Sequence, residues 1–267
     1  MSRAPGEARV APADPFGQPI NFELTLDGGQ TFRWWRREPG VFEGLAGPFP
    51  VRLIVDPALP PGALRVSGER PGESPSPLHA ALVKLLDLPR DYATLQGRLV
   101  ARDPAIAPAV EATRGLRIAR VPPWEALLSF ILSSHTHIPR IKRMLARLCD
   151  ELGGAGPGGL PAPEALAAAG ERELRRLGLG YRAAYVARTA QMLAADPGYL
   201  DAGQALATPD LIAHLMRLPG VGEKVANCVA LFGYGRWDAF PIDRWARRAV
   251  EQFYFGGERV GAARLRT

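Results

Sequence analysis

Cysteine, histidine and lysine are all scarce in this 267-residue chain. Two cysteines, Cys149 and Cys228, cannot build a disulfide framework, and no Cys-rich cluster is present to hold zinc or an iron–sulfur centre. The four histidines show no ligand spacing, although His135 and His137 lie close together. No Cys- or His-held metal centre is therefore expected. Met1 to Asp14 lacks the apolar core of a secretory signal, and no apolar run approaches the length of a membrane span. A soluble, intracellular protein with no membrane partner is expected. Only three lysines occur (Lys84, Lys142 and Lys224), so 30 of the 33 basic residues are arginine. This reads as compositional drift toward Arg, Ala, Gly and Pro. A lysine that remains raises the question whether its site needs an amine that can lose its proton, which arginine cannot supply.

What is present is a formal net charge of +6. It suits a polyanionic partner without identifying one. The length allows one or two domains with a real core. The first twelve or so residues are rich in Ala and Pro and read as disordered. From Phe22 to about Val66 the signals are those of strands and turns. Asn21–Leu26 alternates polar and apolar, Asp27-Gly28-Gly29 is a turn, Thr31–Arg37 is aromatic and β-favouring, and Val51–Val55 is a short apolar run. Glu69–Pro77 is a Gly/Pro/Ser loop, and Leu78–Leu88 has helical spacing. From Val121 the pattern becomes helical: a run opened by Pro122-Pro123, then Ile138–Leu152, a loop at Gly153–Gly159, Pro163–Ala169, Glu171–Leu177, Ala183–Ala195, Pro209–Arg217, Gly222–Phe232 and Arg244–Glu251. No internal repeat is visible. The expected class is α+β, a small antiparallel β-sheet domain with helix over 12–118 followed by an all-α domain over 119–267.

The strongest local signal is Leu218-Pro219-Gly220-Val221-Gly222-Glu223-Lys224, between two helical runs. Pro219 ends the first helix. Gly220 and Gly222 allow a tight turn whose backbone amides, at the start of the next helix, suit a DNA phosphate. This is a helix-hairpin-helix, which holds the DNA backbone without reading sequence; the bland reading is an ordinary glycine-rich turn. Lys224 falls on the first turn of the following helix, where the positive helix end and partial burial favour a neutral, nucleophilic amine. Asp243 follows 19 residues later, just before another helical run. Taken singly, Lys224 is a phosphate contact and Asp243 a helix cap. Occurring together at this spacing, they point to a nucleophile and its carboxylate.

Leu218–Val229 with Ala239-Phe240-Pro241-Ile242-Asp243 resembles the lysine-bearing branch of the helix-hairpin-helix glycosylase superfamily. Three further segments resemble the 8-oxoguanine DNA glycosylase/AP lyase family: Asp27–Trp34, Phe130–Ser134 with Ile138–Ile141, and Leu177–Ala183. Together they cover residues 20 to about 250 in the family's order. The resemblance implies a glycosylase that flips an oxidised guanine, paired with cytosine, out of double-stranded DNA. Lys224 attacks the anomeric carbon, Asp243 stabilises the positive charge on the sugar, and a Schiff base permits β-elimination, a reaction that calls for no metal or organic cofactor. It implies that the Gly29 carbonyl accepts the N7 hydrogen of the damaged base, with the Cys228 sulfur against that base. Tyr181 wedges into the duplex, and Arg140 and Arg182 contact the orphaned cytosine. A half-buried packing tyrosine, phosphate-bound or solvated arginines and a small buried cysteine are the bland counterparts. The expected enzyme is monomeric and acts in the cytoplasm or nucleoid of a bacterium, or the nucleus of a eukaryote.

Three departures stand out. His135 occupies a position where the family usually has an asparagine near the orphaned base. Trp245 stands where a histidine often contacts phosphate. Only 24 residues follow Asp243, whereas the family continues into a helix whose Gln and Phe close the base pocket. Phe255–Thr267 shows no such helix, so a C-terminally truncated chain is expected, with weak or absent base excision and a less affected lyase. The alternatives are a glycosylase/lyase for oxidised pyrimidines, whose relatives carry a four-cysteine cluster, and an alkylated-base glycosylase, whose relatives lack the hairpin lysine. A non-catalytic DNA-binding module is the third.

Overall fold

The computed structural model describes residues 7–10, 15–56, 64–67, 77–154, 159–261 and 264–265. Five strands, β1 (Glu7–Val10), β2 (Trp34–Glu38), β3 (Val41–Ala46), β4 (Phe49–Ile54) and β5 (Leu64–Ser67), form one antiparallel sheet in the order β1-β5-β4-β3-β2. Alternation explains β4: Val51 and Leu53 enter the core while Arg52 faces water. Two expectations are corrected here. Glu7–Val10, within the stretch expected to be disordered, pairs with β5, Ala8 opposite Val66. The open edge of β5 offers unpaired backbone groups, which outweigh the local Ala/Pro composition. Asn21–Leu26 alternates like a strand, yet Glu23–Asp27 is one wide helical turn. Asn21 accepts the Leu24 N–H on Oδ1 at 3.0 Å and the Thr25 hydroxyl on its carbonyl at 2.6 Å, so short side chains close the turn locally. The loop expected at 69–77 lies almost wholly outside the described residues, as do positions 155–158 of the one expected at 153–159.

The helices are α1 (Pro77–Leu85), α2 (Tyr92–Arg102), α3 (Ala107–Ala112), α4 (Pro123–Leu132), α5 (Ile138–Leu152), α6 (Pro163–Arg176), α7 (Arg182–Ala195), α8 (Tyr199–Ala202), α9 (Thr208–Leu215), α10 (Glu223–Cys228) and α11 (Arg244–Tyr254). α5 has the expected bounds. The two helices expected at 163–177 are both present within α6, separated at Gly170, whose non-helical backbone with φ 69° only glycine adopts cheaply. α2 and α3 had no distinct periodic signal. α2 starts where the Asp91 side chain accepts the Thr94 N–H at 3.0 Å.

One hydrophobic core runs from Phe22 to Ala239 and joins the sheet to the helices. Phe32 meets Phe130 edge-on at 5.6 Å, and Phe130 stacks on Phe232 at 5.4 Å. A buried ion pair, Arg33 to Glu125 at 3.0 Å, ties the start of β2 to α4. Burial pushes the Glu125 carboxyl up, and Arg33 acts against that. Among the described residues, no helix is long and apolar enough to cross a membrane.

Candidate active site

The hairpin after α9 is held by α7. The Thr189 hydroxyl donates to the Pro219 carbonyl at 2.9 Å. Gly220 has φ +79°, and a Cβ there would lie 2.6 Å from the Tyr185 Cβ. Glycine is thus required twice over, by backbone conformation and by close approach. Gly220→Ala is expected to lower stability by about 1–3 kcal/mol, read as a lower urea midpoint. Gly222 caps α10 with no side-chain hydrogen bond and has open space beside it, so the start of α10 presents bare backbone.

Lys224, half-buried on the first turn of α10, reaches across the fold to the end of α4. Its Nζ donates to Ser133 Oγ at 3.3 Å and lies 5.1 Å from the centre of the Phe130 ring. Cys228, one turn further along α10, is buried. Burial pushes its thiol up to about 11, Lys224 beside it acts the other way, and Asp243 adds to the rise. Lys224 and Asp243 therefore act on one sulfur from opposite directions. Asp243 is exposed and caps α11, its Oδ1 accepting the Trp245 N–H at 2.9 Å and the Ala246 N–H at 2.8 Å. Its Oδ2 takes no protein hydrogen bond among the described residues. Asn227 ties the two segments: its Nδ2 donates to the Glu223 carbonyl at 2.9 Å, and its Oδ1 accepts the Phe240 N–H at 3.1 Å. Trp245, just past the cap, is 69% exposed.

The residue after Ser133 joins this pair to a second group. The Ser134 carbonyl accepts the Tyr181 hydroxyl at 3.0 Å and Arg182 Nε at 3.0 Å, with Arg182 Nη2 also donating to it. Tyr181 keeps 45% exposure while Arg182 is buried. Burial pulls the Arg182 guanidinium down, Tyr181 opposes this, and the charge of Arg140 adds to the fall. Arg140 thus sits near Arg182, exposed on the first turn of α5. His135 between them is exposed with φ +48°, a left-handed conformation that L-residues seldom hold. The Gly28-Gly29 turn lies against the start of α5, since a Cβ on Gly29 would stand 3.1 Å from Ile138 Cδ1. Phe32 and Phe130 link that turn to Lys224.

A lysine on the hairpin helix is thus linked through Phe130 and Phe32 to the strand that follows the glycine turn, and the segment leading to the Asp243 carboxylate is tied to that same helix through Asn227. The family model for the HhH-GPD superfamily of base excision DNA repair proteins matches residues 128–265, more than half of the chain. The chain belongs to this superfamily.

The model for the 8-oxoguanine DNA glycosylase N-terminal domain matches residues 17–127, immediately before it. The Arabidopsis thaliana N-glycosylase/DNA lyase OGG1 is 32% identical over 84% of this chain. The Saccharomyces cerevisiae N-glycosylase/DNA lyase is 37% identical over 53% of it. The chain spans 63% and 42% of the length of these two relatives. The Clostridium acetobutylicum 8-oxoguanine glycosylase/lyase, in complex with double-stranded DNA containing cytosine opposite 8-oxoG, superposes with a TM-score of 0.83 at 27% identity, covering 93% of this chain and 84% of that one.

Within this superfamily member, two residues of the site carried no individual signal in the sequence and a third carried little. Ser133 meets Lys224 from 91 positions away. Asn227 bridges to a loop 13 positions on. Lys142 reaches 115 positions back to Asp27. Lys142 had one clue, its survival as lysine in an arginine-rich chain.

Proposed function

We propose that this chain is a bifunctional DNA glycosylase/AP lyase that excises 8-oxoguanine paired with cytosine, acting as a monomer on double-stranded DNA in base-excision repair. The observation that carries this reading is that Lys224 lies on the hairpin helix one turn before Cys228, and that the segment leading to Asp243 is tied to that helix through Asn227. The Arabidopsis, yeast and Clostridium proteins carry glycosylase/lyase names, which supports the same chemistry here.

The hairpin at Gly220 and Gly222 holds the DNA backbone. Tyr181 wedges into the duplex, while Arg140, Arg182 and His135 face the orphaned base. Arg182 is committed to the Ser134 carbonyl in the free protein and must share or exchange that acceptor to reach a base. Gly29 offers its carbonyl to the N7 hydrogen that only the oxidised base carries, and Cys228 lies against that base. The uncharged Lys224 amine attacks C1′, the bond from C1′ to the base breaks, and the base leaves as an anion that is neutralised by the amine's own proton, passed on by way of Asp243. Asp243 Oδ2 stabilises the positive sugar and takes the proton released by the amine. Ring opening gives an imine between Nζ and C1′. Loss of a proton from C2′ then expels the 3′ phosphate and nicks the strand, and hydrolysis of the imine frees Lys224.

Borohydride delivers hydride to the imine carbon and fixes the protein to the DNA through a secondary amine. With borohydride present, the chain is expected to form this adduct on an 8-oxoguanine:cytosine duplex, more slowly than on an abasic:cytosine duplex, and not on the undamaged duplex. Salt-sensitive binding to both duplexes with no adduct would instead leave a DNA-binding module.

A further inference from the structure

Of the three lysines, Lys142 is the buried one. It lies on α5 one turn after Ile138, and its ammonium donates to Asp27 Oδ1 and to the Trp34 carbonyl. The Lys142 side chain keeps 8% exposure, against 33% for Asp27. A buried ammonium is costly unless its acceptors are fixed in place. Here the two acceptors flank one stretch: Asp27 stands immediately before the Gly28-Gly29 turn, and Trp34 opens β2 after it. Within that stretch Gly29 rests on Ile138 with φ +93°. From the other side the Gln30 amide donates to the Arg117 carbonyl at 2.9 Å and accepts the Ala119 N–H at 3.1 Å. The turn is thus clamped between α5 and the 117–119 segment. The compact ammonium serves two acceptors at once, where the larger planar guanidinium of arginine would not fit the same space.

We infer that Lys142 is a positioning residue which, through Asp27 and the Trp34 carbonyl, sets where the Gly28-Gly29 backbone meets the damaged base, and so governs lesion recognition without taking part in the chemistry at Lys224. The inference rests on the proposed function. A backbone acceptor displaced by about 1 Å loses most of its value in an oriented site.

The test compares borohydride trapping rates on 8-oxoguanine:cytosine and abasic:cytosine duplexes for the wild-type chain and Lys142→Met, which keeps the side-chain stem and removes the charge. The abasic duplex presents no base to read, so it reports the Lys224 step alone. Trapping on the 8-oxoguanine duplex is expected to fall on the order of tenfold to a hundredfold, with trapping on the abasic duplex kept within about twofold. Equal rates to wild type on both duplexes overturn the inference, and so does a parallel fall on both, which marks a purely structural role. Asp27→Asn, an isosteric change on the more exposed partner, decides by the same split should Lys142→Met fail to fold. A wild-type chain that traps on abasic but not on 8-oxoguanine DNA overturns the proposed function, and the role of Lys142 with it.

Discussion

Lys224→Ala is expected to fold, to bind duplex DNA, and to yield no borohydride adduct on either 8-oxoguanine or abasic duplexes. Strand nicking should fall by on the order of a thousandfold or more, since the group that forms the covalent bond is gone. Folding should survive because the lysine is only half-buried and its hydrogen bond to Ser133 Oγ is a long 3.3 Å. Ser133 is not left orphaned, because its hydroxyl also donates to the Phe130 carbonyl at 2.8 Å. A gel that separates protein–DNA adducts reads the outcome directly. An adduct from the alanine variant would move the nucleophile elsewhere, and neither Lys84 nor Lys142 stands beside Asp243 in the fold.

Asp243→Asn separates two roles that a single carboxylate combines. Asparagine caps a helix about as well as aspartate, so the bonds from Trp245 and Ala246 to Oδ1 should persist. The thermal midpoint should therefore move little. The charge at Oδ2 disappears, and with it the stabilisation of the sugar cation and the acceptor for the amine proton. The single-turnover excision rate is expected to fall by roughly 10²–10⁴-fold. Asp243→Ala should show the same loss and also cost about 1 kcal/mol of stability from the missing cap. An asparagine variant that excised at the wild-type rate would reduce Asp243 to a cap and leave Lys224 without its partner.

The two substitutions bear on different parts of the sequence, and both parts were legible. Pro219, Gly220 and Gly222 announce the hairpin because a turn is encoded by the residues within it. Lys224 follows on the same helix, and Asp243 falls at the foot of a helical run that its own side chain caps. Helix periods were equally readable at α5 and α7, where an apolar face recurs along a single element. The strand-like alternation of Asn21–Leu26 misled because two local side-chain bonds favour a helical turn, and such bonds are invisible to a hydrophobic pattern. β1 was missed for the opposite reason. What orders Glu7–Val10 is the edge of β5, some 57 residues away in the chain.

Local chemistry in the sequence thus determined the α+β class, the hairpin, the place of Lys224 on the hairpin helix and that of Asp243 at the cap of the next one, each a property of a few neighbouring residues. Only the tertiary structure decided how they are arranged. It put Ser133 under Lys224, tied the Asp243 loop to α10 through Asn227, committed Arg182 to the Ser134 carbonyl, and seated the Gly28-Gly29 turn on α5 through Lys142 and Asp27. Those contacts join segments from 13 to 115 residues apart. No periodicity or spacing reports them, because they depend on the docking of one element against another, which burial of the shared core selects.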